Sequence, residues 1–244
     1  LSKEGDSLRV TLRNKSSSSV PIQVYGLNNN EVVYKTWVEH SPGVRTVHIP
    51  AEGVKQVAVN HEGVVPEINR RNNYKTVRGI MDKPLQFRLL QDVEDPRYHQ
   101  VFFMPEFQYN LYDGLALGLK LYNKTILDRN FEYNLSPFYA TRSKTLVGSA
   151  GLSHQIFFDE ELYMIKYGIG GSRFSFGHDL MYQRLTPYLS IHFRDSYLRQ
   201  SPRERIMVRN VNVYRDENEI TDLEMPNYSV FNINYMYSKP GLVH

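Results

Sequence analysis

Beyond residue 101 the chain alternates apolar and polar residues with a period of two, over runs longer than most soluble strands. Leu115, Leu117, Leu119 and Leu121 interleave with Ala116, Gly118, Lys120 and Tyr122. Phe131, Tyr133, Leu135, Pro137 and Tyr139 interleave with Glu132, Asn134, Ser136, Phe138 and Ala140. The pattern recurs at 146–153, 163–170, 185–194 and 231–238. Alternation of this kind predicts strands with one apolar, aromatic face and one small, polar or charged face. The runs 131–142, 145–158, 161–176 and 183–195 reach the roughly 9–11 residues that a tilted strand needs to cross a bilayer. Soluble strands are typically about 5–6 residues long. The 18 tyrosines and 12 phenylalanines are enough for the aromatic girdles of an outer-membrane barrel. The short turns Arg142-Ser143-Lys144 and Asp159-Glu160 are read as one end of such a barrel, and the longer segments 196–204 and 215–227 as the other.

The first 60 residues carry shorter runs. Strands are expected at 8–12, 20–27, 31–37, 44–49 and 54–60, separated by turn clusters such as Asn14–Ser19, Asn28-Asn29-Asn30 and Pro42-Gly43. Short strands at this spacing predict a small β-sandwich. Trp37, the one tryptophan, is expected in its core. Residues 61–97 are polar, with few periodic apolar positions, and read as a connector. Within it, Pro84–Leu90 suits a short helix and a strand equally. The fold class is therefore all-β: a sandwich over 1–60, a connector over 61–97, and antiparallel up-and-down strands of an outer-membrane-type barrel over 98–244. About eight barrel strands can be counted, and the set is expected to be incomplete. Leu1 is no initiator, and Lys239–His244 reads as a turn leading onward, so a piece of a longer chain is expected.

Composition narrows the function. With no cysteine there is no disulfide scaffold, thiolate nucleophile or Cys-ligated metal site. The 29 Lys+Arg against 26 Asp+Glu leave a small, dispersed charge that argues against a nucleic-acid partner. No run of ~18 apolar residues forms a transmembrane helix, but barrel strands carry no such run either.

Some segments resemble a known family. Asn14, Val20-Pro21-Ile22-Gln23-Val24, Trp37, Val57-Ala58-Val59-Asn60 and Pro66-Glu67-Ile68-Asn69-Arg70-Arg71-Asn72-Asn73 resemble the β-sandwich that follows the catalytic domain of M1-family (gluzincin) metallopeptidases. Tyr109-Asn110-Leu111-Tyr112-Asp113-Gly114-Leu115 and Ser143-Lys144-Thr145-Leu146-Val147-Gly148-Ser149-Ala150-Gly151-Leu152 look like the C-terminal outer-membrane barrel of M1-like peptidases of Bacteroidetes. The resemblance implies a location in the outer membrane of a Gram-negative bacterium. It also implies contact with outer-membrane lipid, and an upstream protease domain of the same polypeptide that holds zinc. The family's zinc motif, His-Glu-x-x-His, is absent, because His61-Glu62 is followed by Gly63-Val64-Val65. No catalytic or metal residue is carried over to this chain.

The remaining candidates are local. Lys120, Lys166, Arg173 and Arg194 are candidates for lining a barrel lumen. Arg199, Arg203 and Arg205, with Arg209 nearby, are candidates for contacting lipid phosphates, since arginine pairs bidentately with phosphate. A solvated loop is the plainer reading of that cluster. Gly168-Ile169-Gly170-Gly171-Ser172 lacks the strand–turn–helix setting of a phosphate cradle and suits a bend or close packing better. Asp159-Glu160-Glu161 suits a hairpin tip. The scattered histidines show no metal-ligand spacing. Three functions follow: the non-catalytic, bracing and anchoring part of an M1-like zinc metallopeptidase; a barrel for binding or transport; or a soluble all-β binding module.

Overall fold

The computed structural model describes residues 1–14, 19–39, 42–67, 69–79, 81–90, 93–158, 161–194, 203–217 and 227–239. The hairpin tip Asp159-Glu160, Ser16 to Ser18, Arg199, His40, the ending from Pro240 to His244 and most of the segments 196–204 and 215–227 lie outside them. Among the described residues every regular element is a strand. In chain order these are β1 (Ser2–Glu4), β2 (Ser7–Asn14), β3 (Ile22–Asn28), β4 (Glu31–Val38), β5 (Gly43–Pro50), β6 (Gln56–Val59), β7 (Tyr74–Thr76) and β8 (Leu85–Leu89). They continue as β9 (His99–Asn110), β10 (Gly114–Tyr122), β11 (Phe131–Ala140), β12 (Leu146–Phe157), β13 (Leu162–Gly177), β14 (Leu180–Arg194), β15 (Arg203–Arg215) and β16 (Tyr228–Ser238). Two compact units result: residues 1–86 with 94–100, and residues 87–93 with 101–244.

The first unit is the sandwich. One sheet has the order β1-β2-β5 and the other β4-β3-β6-β7. Alternating Leu8, Val10 and Leu12 of β2 meet Val24 of β3, Val38 of β4, Ile49 of β5 and Val57 of β6, and all are buried. β3 is buried on both sides: Tyr25 and Leu27 turn to the opposite face and cluster with Ala58 and Tyr74. Residues 61–86 and 94–97, expected as connector, belong to this unit. They supply β7, which pairs with β6, and they pack His61 edge-on against Tyr25 and Tyr74. Pro84–Leu90 resolves as a strand, β8.

Trp37 is not a core residue; 55% of it is exposed. The reason is its place on β4, an edge strand of its sheet. Its cross-strand partner is Gln23, on the face turned away from the other sheet. Aromatic bulk alone does not tell a central strand from an edge.

The second unit is a single antiparallel meander of order β16-β15-β14-β13-β12-β11-β10-β9-β8. Its edges β8 and β16 are not paired with each other, so the sheet is open, as expected of an incomplete barrel. β9 to β16 run from 9 to 16 residues, all long enough for a tilted crossing. The loop reading does need correcting. In a meander successive connections alternate between ends, so Arg142-Ser143-Lys144 shares its end with 215–227, and 159–160 shares the other with 196–204. Each end thus carries one short and one long of these four segments.

Leu8→Ala in the sandwich core should cost about 2–5 kcal/mol. This is read as faster hydrogen exchange of β2, β3 and β5 amides. Trp37 should emit as a water-exposed indole and be quenched freely by acrylamide; blue-shifted, quench-resistant emission would contradict the edge placement.

Candidate functional site

Register sorts the side chains of β9–β16 into two sets. Leu117 pairs with Phe107 and Tyr139, and Tyr139 pairs with Leu146. Leu152 pairs with Tyr133 and Ile169, which pairs with Pro187. Ile156, Ile165, Ile191, Ile206 and Tyr235 form another continuous row. These rows share one face, and its apolar groups are exposed: Leu117 is 56% exposed and Ile233 64%. The apolar stretch moves along the strands from one side of the sheet to the other. It starts at Leu115 on β10 and at Phe231 on β16, a shift of about four two-residue rows across six strand spacings. At about 6.8 Å per row and about 4.8 Å per strand, the band is inclined by roughly 43° to the hydrogen-bond rows.

The opposite face carries Lys120, Lys166 and Arg194 from the lumen candidates, together with Arg184, Arg203, Arg205 and Arg209. Arg173 is on the other side. It pairs with Gly148 and Gln183 at the lower margin of the apolar face, because its position in β13 is odd and Lys166 is even. Arg203 and Arg205, expected at lipid phosphates, pair with Arg194 and His192 and so share the polar face. Arg199 lies outside the described residues.

The polar face is hollowed. One cavity of about 530 Å³ is lined by Lys120, Tyr122, Glu132, Asn134 and Tyr188. A second, of about 410 Å³, is lined by Asp128, Lys166, Ser190, His192 and Arg205, and a third, of about 350 Å³, by Arg184, Thr186 and Arg209. Lys166 Nζ donates to Glu132 Oε2 at 2.9 Å, and Lys120 stands 3.7 Å from Glu106. The Arg194 guanidinium stacks 3.6 Å from the centre of the Tyr163 ring. Close strand approach explains two of the glycines. A Cβ on Gly168 would strike the Leu152 carbonyl and the Tyr188 hydroxyl, and Gly148, at φ +132°, lies against the Ser136 carbonyl.

Asp113 is a residue that sequence reasoning passed over. It is 1% exposed, in the β9–β10 turn. Its Oδ2 accepts the Ser175 N–H at 3.0 Å and Asn110 Nδ2 at 3.3 Å, and its Oδ1 accepts the Ser143 hydroxyl at 2.8 Å. The Ser175 hydroxyl also donates to Oδ1. One carboxylate therefore ties together the β9–β10 turn, the β11–β12 turn and β13. The signal was the Asn-Leu-Tyr-Asp-Gly turn, but the partners beyond that turn, Ser143 and Ser175, are 30 and 62 residues away.

In the sandwich, the Pro66–Asn73 segment that carries the family resemblance closes a buried amide cluster. Asn60 Nδ2 donates to Glu67 Oε2 at 2.8 Å and to the Val65 carbonyl at 2.6 Å, and Asn73 Nδ2 donates to the same Glu67 oxygen at 2.6 Å. Arg70 donates to the Asn60 and His61 carbonyls. His61 Nδ1 is 3.1 Å from the Tyr74 hydroxyl, and Glu62 holds Lys35 at 3.2 Å. His61 and Glu62 are thus structural partners of other groups. Among the described residues no three His, Cys, Asp or Glu converge on a metal position.

Comparison with protein-family models, curated proteins and solved structures gave no match.

Asp113→Ala should destabilise the meander by about 1–3 kcal/mol for each buried donor left unpaired, seen as a lower unfolding temperature. His61 is shifted down by burial first, then by the Arg97 and Arg70 charges. The unfolded chain therefore takes up the proton first as pH falls below the ordinary value of about 6.5. Sandwich stability should be full above that pH and decline down to the lower folded value, and His61→Gln should flatten that slope in denaturant titrations.

Proposed function

We propose that residues 98–244 form part of the wall of an outer-membrane β-barrel, and that the sandwich is held at the membrane by it. The single observation that carries this is the continuous, exposed apolar face of β9–β16. At about 4.8 Å per strand, eight strands make a band roughly 35 Å wide. A soluble monomer rarely exposes an apolar patch above about 300–600 Å². The oblique course of the band supports the reading too, because membrane strands tilt by about 35–45° to the barrel axis. Aromatic residues such as Tyr109, Tyr139, Phe107, Tyr235 and Tyr237 fall towards its margins and suit the headgroup region. A soluble binding module fits less well, since it would leave this face in water.

On the resemblance of the Pro66–Asn73 and Ser143–Leu152 segments, the parent molecule is read as an M1-like zinc metallopeptidase of a Gram-negative outer membrane. In this reading the chain is its non-catalytic bracing and anchoring part, and the zinc chemistry belongs to a domain upstream. A barrel acting in binding or transport is the alternative, favoured by the hollowed, charged face.

Two experiments test the two levels. Ile233→Arg on the apolar face should impair barrel assembly, by up to about 2–4 kcal/mol at mid-membrane. Asn234→Arg, its neighbour on the polar face, should assemble normally. Equal behaviour of both in detergent-extracted membranes, read by heat-modifiable gel migration, would remove the barrel reading. An antibody against residues 1–95 should detect a membrane polypeptide far larger than 28.5 kDa. A band at that mass would overturn the anchored-peptidase assignment and leave the barrel.

A further inference from the structure

Charge on the polar face of β9–β16 is segregated. Its two strand carboxylates, Glu106 and Glu132, lie on β9 and β11 and are engaged by Lys120 and Lys166. β14 and β15 together present Arg184, Arg194, Arg203, Arg205, Arg209 and Arg215. Arg215 lies over the Tyr228 ring and has a partner of its own, and the other five have no carboxylate partner among the described residues. Two of them, Arg194 and Arg203, are direct cross-strand partners. Like charges placed opposite each other in a ladder repel, so packing alone does not favour the pairing. Arg205 Nε is buried and makes no hydrogen bond, although its guanidinium borders the cavity of about 410 Å³. Lys166, the Ser190 hydroxyl and His192 line the same space, with Ser190 Oγ and His192 Nε2 2.9 Å apart. Asp128 also reaches the cavity, and it has a partner of its own.

We propose that the polar face of β14–β15, centred on Arg205 and Arg209, is a binding wall for small soluble multivalent anions bearing phosphate or carboxylate groups. Guanidinium forks match both groups bidentately. Rings and walls of basic side chains are how pores select anions. Arg205 supplies the unpaired buried donor, Lys166 and His192 further donors, and Arg209 with Arg184 the cavity of about 350 Å³ along the same strands. Lipid phosphate is not the ligand, because these arginines point away from the apolar face. The inference rests on the barrel reading in one respect: that this face is interior.

The test uses the full chain extracted from membranes, with sodium pyrophosphate and citrate as probes in titration calorimetry. Saturable binding of at least one probe is expected, weakened about tenfold or more by Arg205→Gln or Arg209→Gln and less by Arg205→Lys. Binding of pyrophosphate alone assigns phosphates, and binding of citrate alone assigns carboxylates. No saturation with either by about 10 mM, well above the ~1 mM of a weak specific site, overturns the proposal. So does binding that neither glutamine variant weakens. Heat-modifiable migration is recorded on the same samples. A folded membrane barrel that binds neither anion removes the anion wall and keeps the barrel, whereas a chain that stays in solution without detergent removes both.

Discussion

The antiparallel ladder of β9–β16 is the constraint from which the rest of this chain follows. Side chains alternate with a period of two, so a slip of one residue between any two strands exchanges their faces. Arg205 and Arg209 would then stand among Ile191, Leu189 and Ile233, and the apolar rows would line the hollows. The long register from Gly148↔Arg173 to Phe157↔Met164 holds the two sets apart without a closed core. Asp113 reinforces it by joining two turns and β13 through buried hydrogen bonds, which are costly to leave unmade. Close approach at Gly148 and Gly168 brings neighbouring strands together where a side chain would force them apart.

The sandwich solves a different problem. Its inner face is closed by Leu8, Val10, Leu12, Val24, Ile49 and Val57, in the manner of any two-layer β unit. β3 and β6 also bury Tyr25, Leu27 and Ala58 on their outer face, and a third covering is needed there. The chain supplies it from an apparently featureless polar stretch. His61 and Tyr74 pack over the sheet while Asn60, Glu67 and Asn73 satisfy one another beneath the turn. A polar loop takes this role because its amides pair internally, which removes the penalty of burying them.

The two faces of the long sheet bear on function in opposite ways. In the proposed barrel the apolar face meets the bilayer and says little about chemistry. The polar face carries two matched ion pairs on one side and, on the other, five arginines without a carboxylate partner among the described residues, and only the second arrangement leaves donors for a ligand. Matched pairs hold strands in register, whereas the unmatched guanidiniums are the groups on which the proposed anion wall rests.

Much of the architecture was readable from residue order alone. Alternation in 131–140 or 185–194 can be satisfied only by a strand with two unlike faces, and turn residues bound most of the strands, so the all-β class, the sandwich and the long antiparallel strands were legible. What alternation does not carry is the phase between strands. Lys166 and Arg173 look equivalent in sequence, yet they are seven residues apart in one strand and so stand on opposite faces. Trp37 looks like core, but its strand is at an edge. Asp113 looks like turn chemistry, but its partners come from β13 and a distant hairpin. Local residue order determined which segments are strands and that each has one apolar side. Only the tertiary structure decided which charges share a face, which strand lies at an edge and which turn is buried, because those depend on hydrogen-bond register between segments far apart in the chain.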